Sequence, residues 1–182
     1  MHYKEQLKKP LTQISAELLD EVHLDDFLNF VQFAKDNKFS LKRKASYKWD
    51  VYYKKKLTCG LCLYSVESYK PDGTWSVWPH NLFFHEYDEC ITDDNLKKLL
   101  VNSLKFNSCR GCDGSGCGKR SSDKRLGKDN LTLFGTNYKN VCSGVPFIFA
   151  NPAKETLEHV KELILISKNI VDNNTVVANN GN

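Results

Sequence analysis

From Leu24 to Phe39, apolar residues recur at spacings of three and four, as Leu24, Phe27, Leu28, Phe30, Val31 and Ala34, while Asp25, Asp26, Asn29, Gln32 and Lys35 fill the other positions. This period predicts an amphipathic helix. Asp25 or Asp26 is placed to cap its first amides and to complement the positive end of its dipole. A shorter helix is expected around Ser15 to Asp20. The period then falls to two: Tyr47, Trp49, Val51 and Tyr53 alternate with Lys48, Asp50, Tyr52 and Lys54, as in a strand with one buried face. A second strand is expected over about Leu57 to Ser68. After the turn chemistry of Pro71-Asp72-Gly73, a third follows over Thr74 to Trp78. Three strands in a meander result. Asn81 to Tyr87 fits either a strand extension or a loop.

Thr92 or Asp93 is placed to cap a second main helix carrying Leu96, Leu99, Leu100, Val101 and Leu104 and ending near Lys105. The polar stretch Asn107 to Lys128 breaks both periods and reads as an inserted loop. Short strands are expected at Leu131 to Phe134 and Val145 to Phe149, with Tyr138 to Gly144 a polar loop between them. Asn151-Pro152 then opens a final helix, Asn151 as its cap and Pro152 at its first position. From Asp172 the sequence is rich in Asn and offers no face to bury, so residues 172–182 are expected to be a disordered tail. The fold expected is α+β: an antiparallel sheet covered on one face by helices, one domain over residues 1–171, with a Cys-rich metal-binding insert at about 107–128.

At 182 residues, with 41% hydrophobic and 12% aromatic side chains, the chain is long enough to bury a sizeable core without covalent staples. Its formal charge of +4 is too mild to prescribe a nucleic-acid or membrane partner. The first residues lack the apolar run of a secretory signal, and no later run approaches the ~18 apolar residues of a membrane span, so a cytoplasmic address with no membrane partner is expected. In that setting the seven cysteines are expected as metal ligands or buried thiols rather than disulfides.

Cys109-Arg110-Gly111-Cys112-Asp113-Gly114-Ser115-Gly116-Cys117 carries the strongest chemical signal. A C-x-x-C turn brings two sulfurs to one ion, and the glycines let the backbone curl around it. A structural zinc site takes four ligands, and Cys142 is the best fourth candidate. Zn2+ leads, with an iron–sulfur cluster as the alternative that spacing does not exclude; redox chemistry or an empty loop is disfavoured. Cys59-Gly60-Leu61-Cys62 is a second C-x-x-C, but residues i and i+3 of a strand face opposite ways, so these thiols converge only if Gly60 opens a bulge. Buried small hydrophobes are the favoured reading there. Cys90 is expected in the core.

His80 and His85, near Glu86, Asp88 and Glu89, offer acid–base or metal chemistry in principle, although a solvated loop is favoured. Lys42-Arg43-Lys44 and Lys54-Lys55-Lys56 flank Tyr47, Trp49, Tyr52 and Tyr53, and the insert adds Lys119, Arg120, Lys124, Arg125 and Lys128. Nucleic-acid binding is possible on that pattern, but a lysine-protected strand edge is preferred. Tyr47, Trp49, Tyr53, Trp75 and Trp78 are the candidate ligand-binding residues, on an aromatic sheet face that a single helix layer would leave uncovered.

Two resemblances follow. Cys109 to Gly116 spells C-x-x-C-x-G-x-G and resembles one unit of the zinc-binding region of DnaJ-type chaperones; one copy implies metal binding and not chaperone activity. The opening amphipathic helix, Trp49-Asp50-Val51-Tyr52-Tyr53 before a hairpin, and Phe147-Ile148-Phe149-Ala150-Asn151-Pro152 before a helix with Lys161-Glu162-Leu163-Ile164 resemble the uncharacterised bacterial YdhG/YjbR-like domains, which lack the insert. That resemblance implies a small α+β fold and ligand or partner binding. The function expected is a cytoplasmic binding protein for an unknown small molecule or protein, stabilised by structural zinc, with a non-enzymatic role favoured over a catalytic one. The alternatives are a thiol-redox enzyme using a C-x-x-C pair and a nucleic-acid module using the basic insert.

Overall fold

The computed structural model describes residues 9–45, 47–64, 72–80, 85–104, 129–141 and 147–179. By their contacts, residues divide into two compact units, Met1–Asn81 with Phe149–Asn182, and Leu82–Ile148.

The first unit opens with α1 (Leu11–Leu18) and α2 (Glu21–Asp36). The cap of α2 lies earlier than the apolar period suggests: the Asp20 side chain, not Asp25 or Asp26, accepts from the His23 amide. Val22 in that first turn is 71% exposed, so the turn contributes nothing to the apolar stripe that the sequence displays. At its other end the Phe39 amide donates to the Ala34 carbonyl and the Lys38 amide to that of Lys35, with Lys38 at φ +65°. That pairing is the Schellman ending, at the position where glycine is the usual occupant.

Strands β1 (Ser40–Ala45), β2 (Lys48–Tyr53), β3 (Lys56–Cys62), β4 (Ser76–Pro79) and β7 (Phe149–Ala150) form an antiparallel sheet in the order β1-β2-β3-β4-β7. The expected meander is β2-β3-β4, and β1 is an additional edge strand that the basic run Lys42-Arg43-Lys44 conceals. β2 and β3 join through Lys54 and Lys55, both at positive φ, as a two-residue primed turn requires. One face of the sheet carries Trp49, Leu61 and Val77 in a row, with Val51 beside Cys59. Trp75 meets Phe27 edge-on at 5.3 Å and lies 6.3 Å from Phe30, and Tyr53 packs on Phe39.

The last helix, α5 (Lys154–Asn179), packs on β3 and β4 and against α2. It buries Leu157, Val160, Leu163 and Ile164. The Lys161 ammonium, on its buried side, reaches Asn29 of α2 and Glu158. Two readings change here. Asn151 does not cap this helix: at φ +39° its side chain accepts from the Trp75 amide while its own amide donates to the Trp75 carbonyl, locking the end of β7 to the start of β4. The helix also continues past Asp172, where the Asn-rich composition suggests a tail. The Asp172 carboxylate takes the Lys54 ammonium at 2.7 Å, the Lys168 ammonium at 3.1 Å and the Tyr53 hydroxyl at 2.9 Å.

The second unit holds α3 (His85–Cys90), α4 (Asp94–Asn102) and the hairpin β5 (Asp129–Leu133) and β6 (Thr136–Val141), with an isolated bridge between Leu104 and Phe147. Asp93 caps α4 as its sequence predicts, accepting from the Leu96 amide. Phe134 and Gly135, both at positive φ, make the hairpin turn, and the Phe134 amide donates to Asp88 at 2.7 Å. Tyr138 to Val141, expected in a loop, therefore pair as a strand. Among the described residues of this unit, Ile91, Leu96, Leu100, Leu104, Leu131, Leu133, Val141 and Phe147 are buried apolar side chains.

Candidate functional site

The aromatic residues singled out in the sequence do not share one open face. Trp49, Tyr53 and Trp75 are 5%, 7% and 0% exposed and belong to the side of the sheet that meets α2 or α5. Trp78 pairs with Gly60 and so stands on the opposite side; it too is 7% exposed. Tyr47 precedes β2 and is half-buried. An uncovered aromatic platform is thus replaced by two separate environments, one on each side of the sheet.

On the helix side, a groove of about 410 Å³ runs between the start of α1, the middle of α2 and the β1 edge. Lys9, Pro10, Leu11 and Thr12 line it from the first segment, Val31 and Lys35 from α2, Leu41 and Arg43 from β1, and Trp49 from β2. β1 forms this wall because Leu41 and Arg43, paired with Val51 and Trp49, turn inward while Lys42 and Lys44 turn outward. The Arg43 guanidinium lies 5.0 Å from the centre of the Trp49 ring, donating to the carbonyls of Ala45 at 3.3 Å and Lys9 at 3.2 Å. Lys9 pairs with Glu17 at 2.6 Å, which holds the Glu17 carboxyl below its usual range. Lys35 is exposed. Among the described residues, three cations and no carboxylate line the groove, beside an indole and four aliphatic or proline side chains. A volume in this range accommodates a small organic molecule.

On the other side, Lys42, Asp50, Gly60 and Trp78 form one row across β1 to β4, and Lys48, Cys62 and Ser76 form the next. Asp50 is 6% exposed and accepts from the Tyr52 hydroxyl at 3.2 Å. Trp78 donates from Nε1 to Ser76 Oγ at 2.7 Å, and the Lys48 ammonium lies 4.8 Å from its ring centre. His80, after β4, donates its amide to the Thr58 carbonyl. Burial, and then the nearby Lys48 charge, push its imidazole below the usual histidine value.

Cys59 and Cys62 behave as buried hydrophobes. Their partners place them on opposite sides of the sheet, since Cys59 pairs with Val51 and Pro79 and Cys62 with Lys48 and Ser76. The irregularity in β3 falls at Thr58, where the register skips between Cys59 and Leu57, so Gly60 does not bring the thiols together. Burial raises both, Cys62 to about 11. Cys90, expected in the core, is exposed at the end of α3, and the core position beside it goes to Ile91.

Cys109, Cys112, Cys117 and Cys142 lie outside the described residues. Among the described residues, no three His, Cys, Asp or Glu side chains are placed to share a metal, and no helix is long and apolar enough to cross a membrane. Comparisons with known protein families, with characterised proteins and with solved structures find no match.

Proposed function

We propose that the protein is a binding protein whose groove beside Trp49 takes a small organic anion with a flat or apolar body. The observation that carries this reading is the lining itself. Among the described residues, Lys9, Lys35 and Arg43 enclose one side of a 410 Å³ groove without a lining carboxylate, next to Leu11, Val31, Leu41 and an indole. Arg43 is held by two backbone carbonyls and the Trp49 ring. A guanidinium presents a planar fork of donors that matches a carboxylate or phosphate.

Structural Zn2+ held by Cys109, Cys112, Cys117 and Cys142 belongs to the same proposal, supported by thiol spacing alone. A site filled by four thiolates has no position for water and serves to order the loop. The kinship with YdhG/YjbR-like domains and the cytoplasmic address are retained on the same footing.

Benzoate and phenyl phosphate test the groove, with benzyl alcohol as the neutral analogue. Tryptophan fluorescence is expected to change saturably with the two anions, and replacing Trp49 with Phe should remove that change. Lys35→Ala and Arg43→Met are each expected to weaken binding at least tenfold, the scale of one lost charge-assisted contact of about 1.5 kcal/mol. Benzyl alcohol binding as tightly as benzoate would remove the basis for the proposal.

A further inference from the structure

The opposite side of the sheet holds a second polar constellation that the groove does not use. Gly60 sits at the centre of β3 with Asp50 beside it on β2 and Trp78 beside it on β4. A Cβ built on Gly60 would lie 3.4 Å from Lys48 Cε and 3.5 Å from His80 Nε2, so the two side chains lean over this glycine, one from β2 and one from just after β4. Three polar groups thus converge on one backbone position, and each is under-used. His80 Nε2 is buried and, among the described residues, has no hydrogen-bond partner. Asp50 is buried with one hydrogen bond, from Tyr52, although a carboxylate offers about four acceptor positions. The Lys48 ammonium rests on the Trp78 ring rather than on Asp50, two residues away on the same face.

A buried carboxylate and a nearby ammonium that do not pair with each other are the arrangement a third group would bridge. Burial of the carboxylate without such a group is unfavourable. Lys42 stands at the exposed rim of the Asp50 row, over Tyr52 at 5.3 Å.

We infer that the Gly60 position of this sheet face is a binding site for a free α-amino acid, or a molecule with the same zwitterionic head. Asp50 takes the ammonium, Lys48 swings from Trp78 to the carboxylate, and His80 Nε2 gains its missing partner. Neutral imidazole suits this role, because it adds no charge to a site whose Asp50 and Lys48 already match a zwitterion. The site is independent of the groove, with no residue in common.

The test uses the full chain with 13C-labelled histidine, reading the His80 imidazole resonances, assigned with His80→Gln, during titration with each of the common L-amino acids. Acetate and methylammonium serve as half-ligand controls. At least one amino acid is expected to shift His80 saturably, while neither half-ligand does so at equal concentration. Lys48→Met and Asp50→Asn should each weaken the response tenfold or more, and Arg43→Met should leave it unchanged. Unfolding midpoints establish which variants are folded; should Asp50→Asn not fold, Lys48→Met decides alone. Acetate matching the best amino acid would overturn the proposal in favour of a simple anion site. An absence of saturable shifts, or undiminished binding by folded Lys48→Met, would show that His80 Nε2 meets only water.

Discussion

Replacing Lys38 by glycine should make the protein more stable, although the substitution discards an entire side chain. Lys38 occupies the left-handed position after α2 at φ +65°, fixed there by the paired bonds Phe39 to Ala34 and Lys38 to Lys35, and its side chain is exposed. The left-handed conformation costs an L-residue about 1–2 kcal/mol, and glycine avoids most of that. Glycine's freer unfolded chain takes back about 0.4–1 kcal/mol, leaving a net gain of about 0.5–1 kcal/mol. Lys55, exposed and at φ +67° in the β2–β3 turn, obeys the same arithmetic. The two sites are in different elements, so Lys38→Gly with Lys55→Gly should gain about 1–2 kcal/mol together. Glu162→Gly, on an exposed position inside α5, supplies the opposite sign at about 1 kcal/mol of loss. Urea unfolding followed by tryptophan fluorescence is the suitable assay, since Trp49, Trp75 and Trp78 all lie in the first unit. With a slope of about 2 kcal/mol per molar, each glycine at a left-handed position should raise the midpoint by about 0.3–0.5 M. A lowered midpoint for Lys38→Gly, or a change of the same sign as Glu162→Gly, would refute the account of the helix ending.

In peptide-mapped alkylation of the folded chain at pH 8, Cys90 is expected to react readily, while Cys59 and Cys62 react only on unfolding, because burial raises both of their thiols. Asp172 is lowered to about 2, first by its hydrogen bond from Lys54 and then by Lys168 and Tyr53. A depressed carboxylate stabilises the fold above its unfolded value near 3.9 and loses that contribution as pH falls toward 2. Asp172→Asn should therefore flatten the acid side of the stability profile between about pH 4 and pH 2, and an unchanged slope there would count against the cluster. Elemental analysis should find one zinc per chain, and Cys109→Ser, Cys112→Ser or Cys117→Ser should each release it. Chelation should leave hydrogen-exchange protection across Lys48–Cys62 intact, because that sheet already rests on Trp49, Leu61, Trp75 and Val77; general loss of protection there would make the metal essential to the first unit as well.

What the sequence discloses is the burial of one face at a time. Phe27, Phe30, Val31 and Ala34 reveal α2, and Trp49, Val51 and Tyr53 reveal β2, because each element presents a repeating apolar side to the same core. β1 carries no such signal. It is an edge strand whose outward positions are lysines, and its two inward side chains, Leu41 and Arg43, are only half-buried. Lysines on an exposed edge discourage pairing with another chain, and the same choice hides the strand from a hydrophobic pattern. Asn151 misleads for a different reason: Asn before Pro is the signature of a helix cap, yet its amide group is engaged by the Trp75 backbone 76 residues away. The side chain does satisfy a backbone amide, but that amide belongs to the sheet and not to the helix.

The two candidate sites were harder to see for a related physical reason. A catalytic or metal motif is legible when its ligands lie close along the chain, as in Cys109-Arg110-Gly111-Cys112. The groove instead gathers Lys9, Lys35, Arg43 and Trp49 from four segments, and the Gly60 cluster gathers Lys48, Asp50 and His80 from two strands and a following loop. Their proximity depends on register. Shifting β1 by one residue against β2 would exchange Leu41 and Arg43 for Lys42 and Lys44 along the groove wall, and shifting β4 against β3 would take Trp78 away from Gly60. Alternation along β2 predicts that Lys48, Asp50 and Tyr52 share a side, but only the ladder decides that Gly60 lies between Asp50 and Trp78, leaving room for lysine and histidine to meet above it. The same register separates Trp49 from Trp78, which is why the expected aromatic sheet face divides into two environments, one on each side of the sheet.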